Sequence, residues 1–387
     1  MEYKKIHAQR ILTEIGWLEN GLLTIDKQGI IIAIEQAKSP SPNNLTIMPA
    51  LIDSHIHGAK GMDVMDASHQ ALNTISLYLA EHGVGAFLAT TVTDSTEKIE
   101  AALVQIKQSY QQGVDGAQLL GAYLEGPFFT AKHKGAHPQN LLQAPARMLL
   151  ERWLKLADGT LKCIALAPEY LNSLSIIRWL RLQNIRVMLG HTNANYQTIK
   201  SALTAGASGV VHCYNGMQGL HHREPGAVGA AFTSPNCQTE IIADGYHVHH
   251  AAINIAHRCC NDQLLLISDA MRAAGMPNGD YKLGEMNVHM QNNVVRTDDG
   301  GLAGSTLSLD VAVNHLANAA NIAFEQAWLH ASIYVANALG IGNVLGSIRV
   351  GKQANLVLLT PQKQIIATLV NGNTVYKGQD HDNYQLC

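Results

Sequence analysis

The chain has 387 residues, of which 47% are hydrophobic, and a formal net charge of −3 at pH 7. This length allows one large domain and a smaller companion. The near-neutral charge gives no basis for nucleic-acid or membrane binding through bulk charge, and no apolar run approaches the ~20 residues of a spanning helix. The six cysteines show neither zinc-site nor secreted-framework spacing, so the sequence predicts a reduced, cytoplasmic protein.

The two ends of the chain share a short-strand character. Asn20-Gly21 near the start and Asn371-Gly372 near the end are both hairpin signals between apolar runs. We therefore expect residues 1–46 and 346–387 to pair into one small β-sandwich domain. Residues 47–345 would then form a second, larger domain.

Eight apolar runs alternate with helix-like stretches through the middle of the chain. The runs cover residues 47–52, 84–89, 118–124, 161–167, 185–189, 209–211, 240–243 and 264–267. In the helix-like stretch Asp94–Gln112, Asp94 and Glu97 resemble a capping box, and Gly113 follows as a stop. Eight strands alternating with helices predict an α/β fold, a closed parallel (β/α)₈ barrel of the TIM type.

Side chains that bind metals stand where these runs end. His55 and His57 follow the first run on one face of an extended chain, Glu125 the third, His191 the fifth and His212 the sixth. In a barrel these strand ends meet at one mouth. Any one residue could be a core histidine or part of a buried ion pair. Five together predict a divalent metal site of imidazole and carboxylate ligands.

Asp269 ends the eighth run and has two interpretations. It could cap a helix that begins at Ala270. Alternatively, it is a carboxylate that takes a proton from water activated by a metal and passes it to a leaving amine. Together with the metal ligands, the second interpretation describes metal-assisted hydrolysis of an amide.

Eight motifs, in their order along essentially the whole chain, resemble the N-acetylhexosamine-6-phosphate deacetylases of the amidohydrolase superfamily. They are Leu124-Glu125-Gly126-Pro127-Phe128, Lys134-Gly135-Ala136-His137, Leu189-Gly190-His191-Thr192, His212-Cys213-Tyr214-Asn215-Gly216-Met217, Arg223-Glu224-Pro225-Gly226, Ala243-Asp244-Gly245-Tyr246-His247, Ser268-Asp269-Ala270 and Leu302-Ala303-Gly304-Ser305. Segments 215–226 and 269–277 look closer to the N-acetylgalactosamine-6-phosphate branch than to the N-acetylglucosamine-6-phosphate branch.

The resemblance implies a role for each matching residue. Glu125, His191 and His212 match the metal ligands of the family, and Asp269 matches its catalytic acid/base. His247 matches a catalytic histidine that polarises the acetamide carbonyl. The substrate-binding positions implied in the same way are Ala136, His137, Asn215, Gly216, Arg223, His247, Leu302, Ala303 and Gly304.

The resemblance also implies a cofactor and a partner. The cofactor is a divalent metal, with Zn²⁺ as the first choice and Fe²⁺ or another ion as the alternative. Some relatives have other residues in place of His55 and His57. Because this chain has both histidines, the resemblance allows either one or two metal ions per subunit. Arg223 matches a phosphate ligand that a neighbouring subunit supplies, which implies a homodimer. The guanidinium group of an arginine can bind phosphate through two hydrogen bonds. The alternative interpretation of Arg223 is an ion pair with Glu224.

The expected reaction is hydrolysis of N-acetyl-D-galactosamine 6-phosphate to D-galactosamine 6-phosphate and acetate, in amino-sugar catabolism. The alternative substrate is N-acetyl-D-glucosamine 6-phosphate. A cyclic-amide hydrolase of the dihydroorotase type is disfavoured because the fourth strand end, 165–169, has no lysine to bridge two metals. A catalytically silent barrel scaffold is disfavoured because the full set of ligands is present.

Overall fold

The computed structural model describes residues 3–378 of the chain. Its strands are β1 (Lys4–Thr13), β2 (Gly16–Ile25), β3 (Ile31–Gln36), β4 (Thr46–Pro49), β5 (Leu51–Ile56), β6 (Gly58–Ala59), β7 (Met62–Asp63), β8 (Val84–Thr91), β9 (Gln118–Glu125), β10 (Leu161–Leu166), β11 (Arg186–Leu189), β12 (Gly209–Val210), β13 (Gln238–Ile242), β14 (Leu264–Ile267), β15 (Gly279–Leu283), β16 (Met286–Gln291), β17 (Val294–Thr297), β18 (Leu356–Leu359), β19 (Ile365–Val370) and β20 (Asn373–Lys377).

The α-helices of the same residues are α1 (His69–Glu81), α2 (Thr96–Gln112), α3 (Arg147–Ala157), α4 (Ser173–Leu182), α5 (Tyr196–Ala205), α6 (Gly226–Phe232), α7 (His250–Cys260), α8 (Leu309–Ala320), α9 (Phe324–Leu329) and α10 (Ile333–Ala338). Short 3₁₀ helices cover Val64–Asp66, Ala131–His133, Gln139–Leu141 and Asn261–Gln263. None of the helices in residues 3–378 has both the length and the apolar character needed to cross a membrane.

Eight parallel strands form the barrel, in the order β14-β13-β12-β11-β10-β9-β8-β5. The barrel is nearly closed where β14 meets β5. At its C-terminal end the backbone N–H of Asp269 donates to the carbonyl of His55 at 2.9 Å. Deeper in the barrel, Leu266 and Ile52 donate to the two adjacent carbonyls of residues 330–331, at 2.9 and 2.8 Å. The predicted (β/α)₈ barrel is confirmed.

The barrel strands are buried on both faces because helices cover the outside. Every residue of β5, β8 and β14 is buried. Helix α2 buries Ile99, Leu103 and Ile106. Continuous apolar runs are typical of parallel strands that are buried on both faces, which is why the runs were visible in the sequence.

Helix α2 begins differently from the sequence prediction. Ser95 is its N-cap, and the Ser95 hydroxyl accepts the backbone N–H of Lys98 at 3.3 Å. The carboxylate of Asp94 instead accepts the backbone N–H of Ser95 at 2.7 Å. The predicted capping box of Asp94 and Glu97 is therefore wrong. Gly113, at φ 86°, ends the helix as predicted.

Both ends of the chain meet in a seven-stranded sheet, in the order β20-β19-β18-β4-β1-β2-β3. This sheet has its own apolar core, which includes Ile11, Leu23 and Leu358. The prediction of one β unit made from both chain ends is confirmed. Strand β4 crosses the predicted boundary after residue 46, and the division at 46 and 346 stays a prediction. Residues 379–387, which that prediction included, lie outside the described residues.

The two hairpin signals have different outcomes. Asn371-Gly372 forms the two-residue turn between β19 and β20, with φ 49° and 73°. The Asn20-Gly21 hairpin is wrong, because these residues lie inside β2 and the chain turns at Glu14-Ile15. Asn20 still has a left-handed φ of 52°, and its side-chain amide donates to the carbonyls of Ala37 and Ser39, both at 2.9 Å.

A three-stranded antiparallel sheet, β15-β16-β17, follows the last barrel strand and was not predicted. We call it the flap sheet. Its residues Val288 and Met290 alternate toward a small core that contains Val92 and Met271 from the barrel loops. Asn292, with φ 51°, lies in the turn between β16 and β17. The flap sheet thereby covers one side of the barrel mouth.

Candidate metal centre and active site

A cavity of about 410 Å³ opens at the C-terminal ends of the barrel strands. One wall comes from the strand ends and another from the flap sheet and the loop after it. The residues that line the cavity are His57, Val92, Glu125, Gly135, Ala136, His137, His191, His212, Asn215, Gly216, Ile242, His247, Asp269, Leu283, Thr297, Asp299, Gly301, Leu302 and Gly304.

Glu125 lies at the centre of the buried histidines. Its Oε1 is 3.1 Å from Nε2 of His212 and 3.5 Å from Nε2 of His191. Its Oε2 is 3.2 Å from Nε2 of His57. The ligand atoms form two groups, Glu125 with His191 and His212, and Glu125 with His55 and His57, each within 4.8 Å. One carboxylate is thus shared by two pairs of imidazoles.

The other ring nitrogen of three of these histidines contacts a backbone carbonyl. The Nδ1 distances are 3.1 Å from His57 to Thr90, 3.0 Å from His191 to His133 and 3.1 Å from His212 to Asn215. Because a carbonyl oxygen only accepts, each Nδ1 carries a hydrogen, so the lone pair lies on Nε2 whenever the ring is neutral. Such contacts orient metal-binding histidines in the same way.

The Nε2 atoms approach one another closely within each pair. His191 and His212 are 3.1 Å apart at Nε2, and His55 and His57 are 3.3 Å apart. Two facing lone pairs repel each other, whereas a cation between them is attracted to both. Imidazole nitrogens with a carboxylate oxygen are the ligand set of catalytic zinc. The residues present therefore fit a divalent cation in each group.

The electrostatics of the cluster also favour positive charge. Burial by itself lowers the pKa of His55 and His57, but the carboxylates of Glu125 and Asp269 outweigh it and raise both. The pKa of His57 reaches about 9. Burial likewise raises the pKa of Glu125, but the surrounding histidines hold it well below its usual range. The site thus stabilises an ionised Glu125 and favours positive charge at His55 and His57, whereas burial lowers the pKa of His191.

Asp269 stands beside the second histidine pair. Its Oδ1 is 3.1 Å from Nε2 of His57 and 3.4 Å from Nε2 of His55. Its backbone has a left-handed φ of 49°, and its N–H donates to His55 across the barrel seam. The side chain lines the cavity as the sequence predicted; it does not cap a helix that begins at Ala270, since no helix of the described residues starts there.

His137 lies on the opposite side of Glu125. Its Nε2 is 3.7 Å from Oε2 of Glu125, and its ring meets that of His191 edge-on, with centroids 4.4 Å apart. Burial and the neighbouring histidine His191 hold its pKa well below the usual range, so the ring is neutral. Its Nδ1 is buried and has no hydrogen-bond partner among the described residues.

The other predicted substrate positions fall into two sets. Ala136, Asn215, Gly216, Leu302 and Gly304 line the cavity together with His137 and His247. The other two predicted positions, Ala303 and Arg223, do not line the cavity of the single chain.

Ala303 is buried behind the cavity wall, where its backbone N–H donates to the carbonyl of Val295 at 3.2 Å. Arg223 is exposed, and its Nη1 lies 2.8 Å from Nε2 of His222. The alternative partner, Glu224, accepts the backbone N–H of Tyr196 at 3.2 Å. A single chain therefore does not bring Arg223 to its own cavity.

Sequence reasoning missed several residues of the site. Thr297, Asp299 and Gly301 line the cavity from the segment just before the motif at Leu302, and the alternation of apolar residues in β16 was the available signal. The roles of two carboxylates, the partly buried Asp244 and the buried Glu240, were also missed. Asp244 lies 2.6 Å from Nδ1 of His247, and Glu240 contacts His55 from inside the barrel.

Comparison with known proteins gives consistent matches along the whole chain. A family model described as the Amidohydrolase family matches residues 46–375. The chain is 51% identical to N-acetylglucosamine-6-phosphate deacetylase of Vibrio furnissii, over 95% of this chain and 94% of the relative. It is 47% identical to N-acetylgalactosamine-6-phosphate deacetylase of Escherichia coli O157:H7, over 92% and 94%.

Solved structures agree with these matches. N-acetyl-D-glucosamine-6-phosphate deacetylase of Mycobacterium smegmatis, a mutant in complex with N-acetyl-D-glucosamine-6-phosphate, superposes with a TM-score of 0.91 at 26% identity, covering 97% of this chain and 100% of that one. The Thermotoga maritima enzyme of the same name gives 0.88 at 28% identity, again over 97% and 100%. The chain therefore belongs to the amidohydrolase family, among the N-acetylhexosamine-6-phosphate deacetylases, and is a hydrolase that acts on amide bonds.

Proposed function

We propose that this amino-sugar-6-phosphate deacetylase releases acetate from both N-acetyl-D-galactosamine 6-phosphate and N-acetyl-D-glucosamine 6-phosphate, with the galacto form preferred. The observation that carries the proposal is that Asp269 and four histidines meet around Glu125, and that all of these residues except His55 line one cavity. The galacto preference is supported by the relative of that name at 47% identity and by segments 215–226 and 269–277. The relative named for the gluco form, at 51%, supports the alternative.

The metal would be held by the two ligand groups that share Glu125. His191 and His212 complete one group, and His55 and His57 complete the other. We propose Zn²⁺ as the first choice, and Fe²⁺ or another divalent ion as alternatives, with one or two ions per chain. When bound, such a cation polarises the amide carbonyl and makes water more acidic.

Asp269 is placed to hold and transfer a proton. Burial alone would raise its pKa, but the hydrogen bond from His57 and the charges of His55 and His57 lower it to about 2. The carboxylate is therefore ionised at neutral pH and can accept a proton. Since it lines the cavity, the same oxygen can pass that proton to the sugar nitrogen as the C–N bond breaks.

His137 and His247 would orient the substrate. The ring of His137 lines the cavity and would contact the sugar, and His247 would donate to the acetamide oxygen. Asn215 and Gly216 lie on the cavity wall, where they can contact the phosphate. Because Arg223 does not reach the cavity of its own chain, we propose that it binds the phosphate in a neighbouring subunit of a homodimer.

Two measurements test this proposal. Acetate release from the two 6-phosphates, assayed side by side, is expected for both, with the larger kcat/KM for the galacto form. Asp269→Asn, which keeps the shape of the side chain, should lower kcat by about 10²- to 10⁴-fold, since it removes the proton carrier. Near-normal turnover of this variant, with metal content and fold unchanged, would contradict the role of Asp269.

A further inference from the structure

Asp244 is held in one orientation by three donors. It follows β13, and the left-handed φ of 80° at Gly245 lets the chain turn back on itself. Its Oδ1 accepts the backbone N–H of Tyr246 at 2.8 Å and of His247 at 2.7 Å. Its Oδ2 lies 2.6 Å from Nδ1 of His247. One carboxylate thus binds both the backbone and the ring of the same histidine.

This contact decides which nitrogen of His247 carries hydrogen. A carboxylate oxygen only accepts, so Nδ1 is the donor, and Nε2 is the nitrogen left for a substrate. Nε2 then carries a hydrogen only when the ring is an imidazolium. A developing negative charge on an acetamide oxygen needs such a donor. A neutral ring with Nδ1–H would present a lone pair to that oxygen and repel it.

The charge of Asp244 supports the imidazolium form. Burial by itself would raise the pKa of Asp244, but the hydrogen bond and charge of His247 and the backbone N–H donors lower it. The carboxylate therefore stays ionised at neutral pH. Since it lies at hydrogen-bond distance from the ring, it offsets the positive charge that the donor role requires.

We propose that Asp244 is a positioning residue that holds His247 as an imidazolium and so makes its Nε2–H the donor to the substrate carbonyl. The inference rests on the proposed deacetylation for its chemical meaning. The geometry itself does not involve the metal ligands. It assigns His247 the role of a hydrogen-bond donor, which requires a hydrogen on Nε2.

Other titratable groups near the turn do not replace Asp244. The ring of His250 packs beside Gly245, and Nδ1 of His315 donates to the carbonyl of Ala243 at 2.8 Å. Asp269 lines the same cavity from β14. The contact with Nδ1 of His247, however, is made by Asp244, and this fixes the tautomer of the ring.

The substitution Asp244→Asn separates the positioning role from a purely structural one. Asparagine keeps the Oδ1 acceptor for the two backbone N–H groups, so the turn is preserved. Its side-chain N–H donates to Nδ1, and the ring of His247 then takes the neutral form with hydrogen on Nε2. Nitrogen NMR of histidine-labelled protein, with His247→Gln to identify the signals, should show imidazolium in the wild type and this neutral form in the variant.

The kinetic consequence is a loss of kcat with little change in KM. We expect a loss of about 10- to 100-fold, smaller than the ~10²- to 10³-fold cost of removing an oxyanion donor, because the neutral ring still donates weakly.

A second Asp–His pair provides the control. Asp310 lies 3.1 Å from Nδ1 of His82, just before β8 begins and therefore at the opposite end of the barrel. Asp310→Asn should leave kcat and the His247 signals unchanged. Wild-type kcat and wild-type NMR signals in Asp244→Asn would overturn the proposal, as would a neutral His247 in the wild type, with its hydrogen on either nitrogen. Absence of acetate release by the wild type would instead contradict the proposed function, because the NMR measurement needs no turnover.

Discussion

Glu240 distinguishes one histidine of the cluster from the other three. It is fully buried, and its Oε2 lies 3.4 Å from Nδ1 of His55 and 3.4 Å from the hydroxyl of Tyr123. The other three histidines have carbonyl oxygens at Nδ1, whereas His55 has a carboxylate. A carboxylate at this position makes the imidazole a stronger ligand. The two cation positions should therefore depend differently on Glu240.

The substitution Glu240→Gln should weaken the cation held by His55 and His57 by about 10- to 100-fold. The cation held by His191 and His212 should be retained, because their contacts at Nδ1 do not change. Elemental analysis after dialysis at a series of buffered Zn²⁺ concentrations measures the two affinities. Glu151→Gln, which alters an exposed ion pair with Arg147 on α3, is the matched control. Equal zinc binding by both variants at every concentration would contradict this assignment.

At the residue scale, the sequence reveals the metal ligands more easily than the groups that orient them. Glu125, His191 and His212 were found because the ends of apolar runs predict the mouth of a barrel. Their carbonyl partners could not be found, since any residue supplies a backbone oxygen and the loop conformation decides which one. Glu240 did leave a signal, as a lone charge inside the buried run of β13.

At the scale of elements, His330 bridges the seam of the barrel. Its Nδ1 donates to the carbonyl of Leu264 at 2.8 Å, and its own carbonyl accepts the N–H of Leu266 at 2.9 Å. Burial lowers the pKa of this histidine to about 4 from the ordinary 6.5. The neutral ring is therefore the form that the seam between β14 and β5 contains.

This burial predicts a loss of stability in acid. Between pH 6.5 and pH 4 the unfolded chain protonates His330 while the folded chain does not, so the unfolded state binds more protons. The contribution of the neutral His330 ring to the free energy of unfolding is complete above pH 6.5. It falls by about 3 kcal/mol as the pH is lowered to 4. His330→Gln should remove this part of the acid sensitivity.

Urea denaturation of His330→Gln and wild type at both ends of this pH range measures the effect. All other titrating groups are common to the two proteins, so the difference between their pH slopes isolates His330. His221→Gln, at an exposed site, should keep the wild-type slope. A wild-type slope in His330→Gln would show that the ring is not kept neutral by the fold.

Elements were predictable where one physical cause dominates. Each of the eight barrel strands coincides with or overlaps a predicted run, although the first run, residues 47–52, divides between β4 and β5. The division follows from competition between two sheets, since β4 pairs with β1 and β18. The flap sheet was missed because one face is exposed and its strands are short and polar.

At the scale of the whole molecule, the fold explains why residues far apart in sequence form one centre. Parallel strands separated by helices place every C-terminal end at the same mouth, and the flap sheet closes one side of it. The β unit from both chain ends was predictable because the two ends share a strand pattern. Arg223 is exposed beside His222 and does not reach the cavity of its own chain, which is why we propose a homodimer.

Removal of the metal tests whether acetate release depends on a divalent cation at Glu125. Protein freed of divalent cations by chelation should release no acetate from either N-acetylated amino-sugar 6-phosphate. Activity should return in proportion to Zn²⁺ bound, and Glu125→Gln should neither bind the ion tightly nor recover, because both ligand groups share that carboxylate. Acetate release at the full rate by protein shown to be free of divalent cations would contradict metal-dependent hydrolysis at this site.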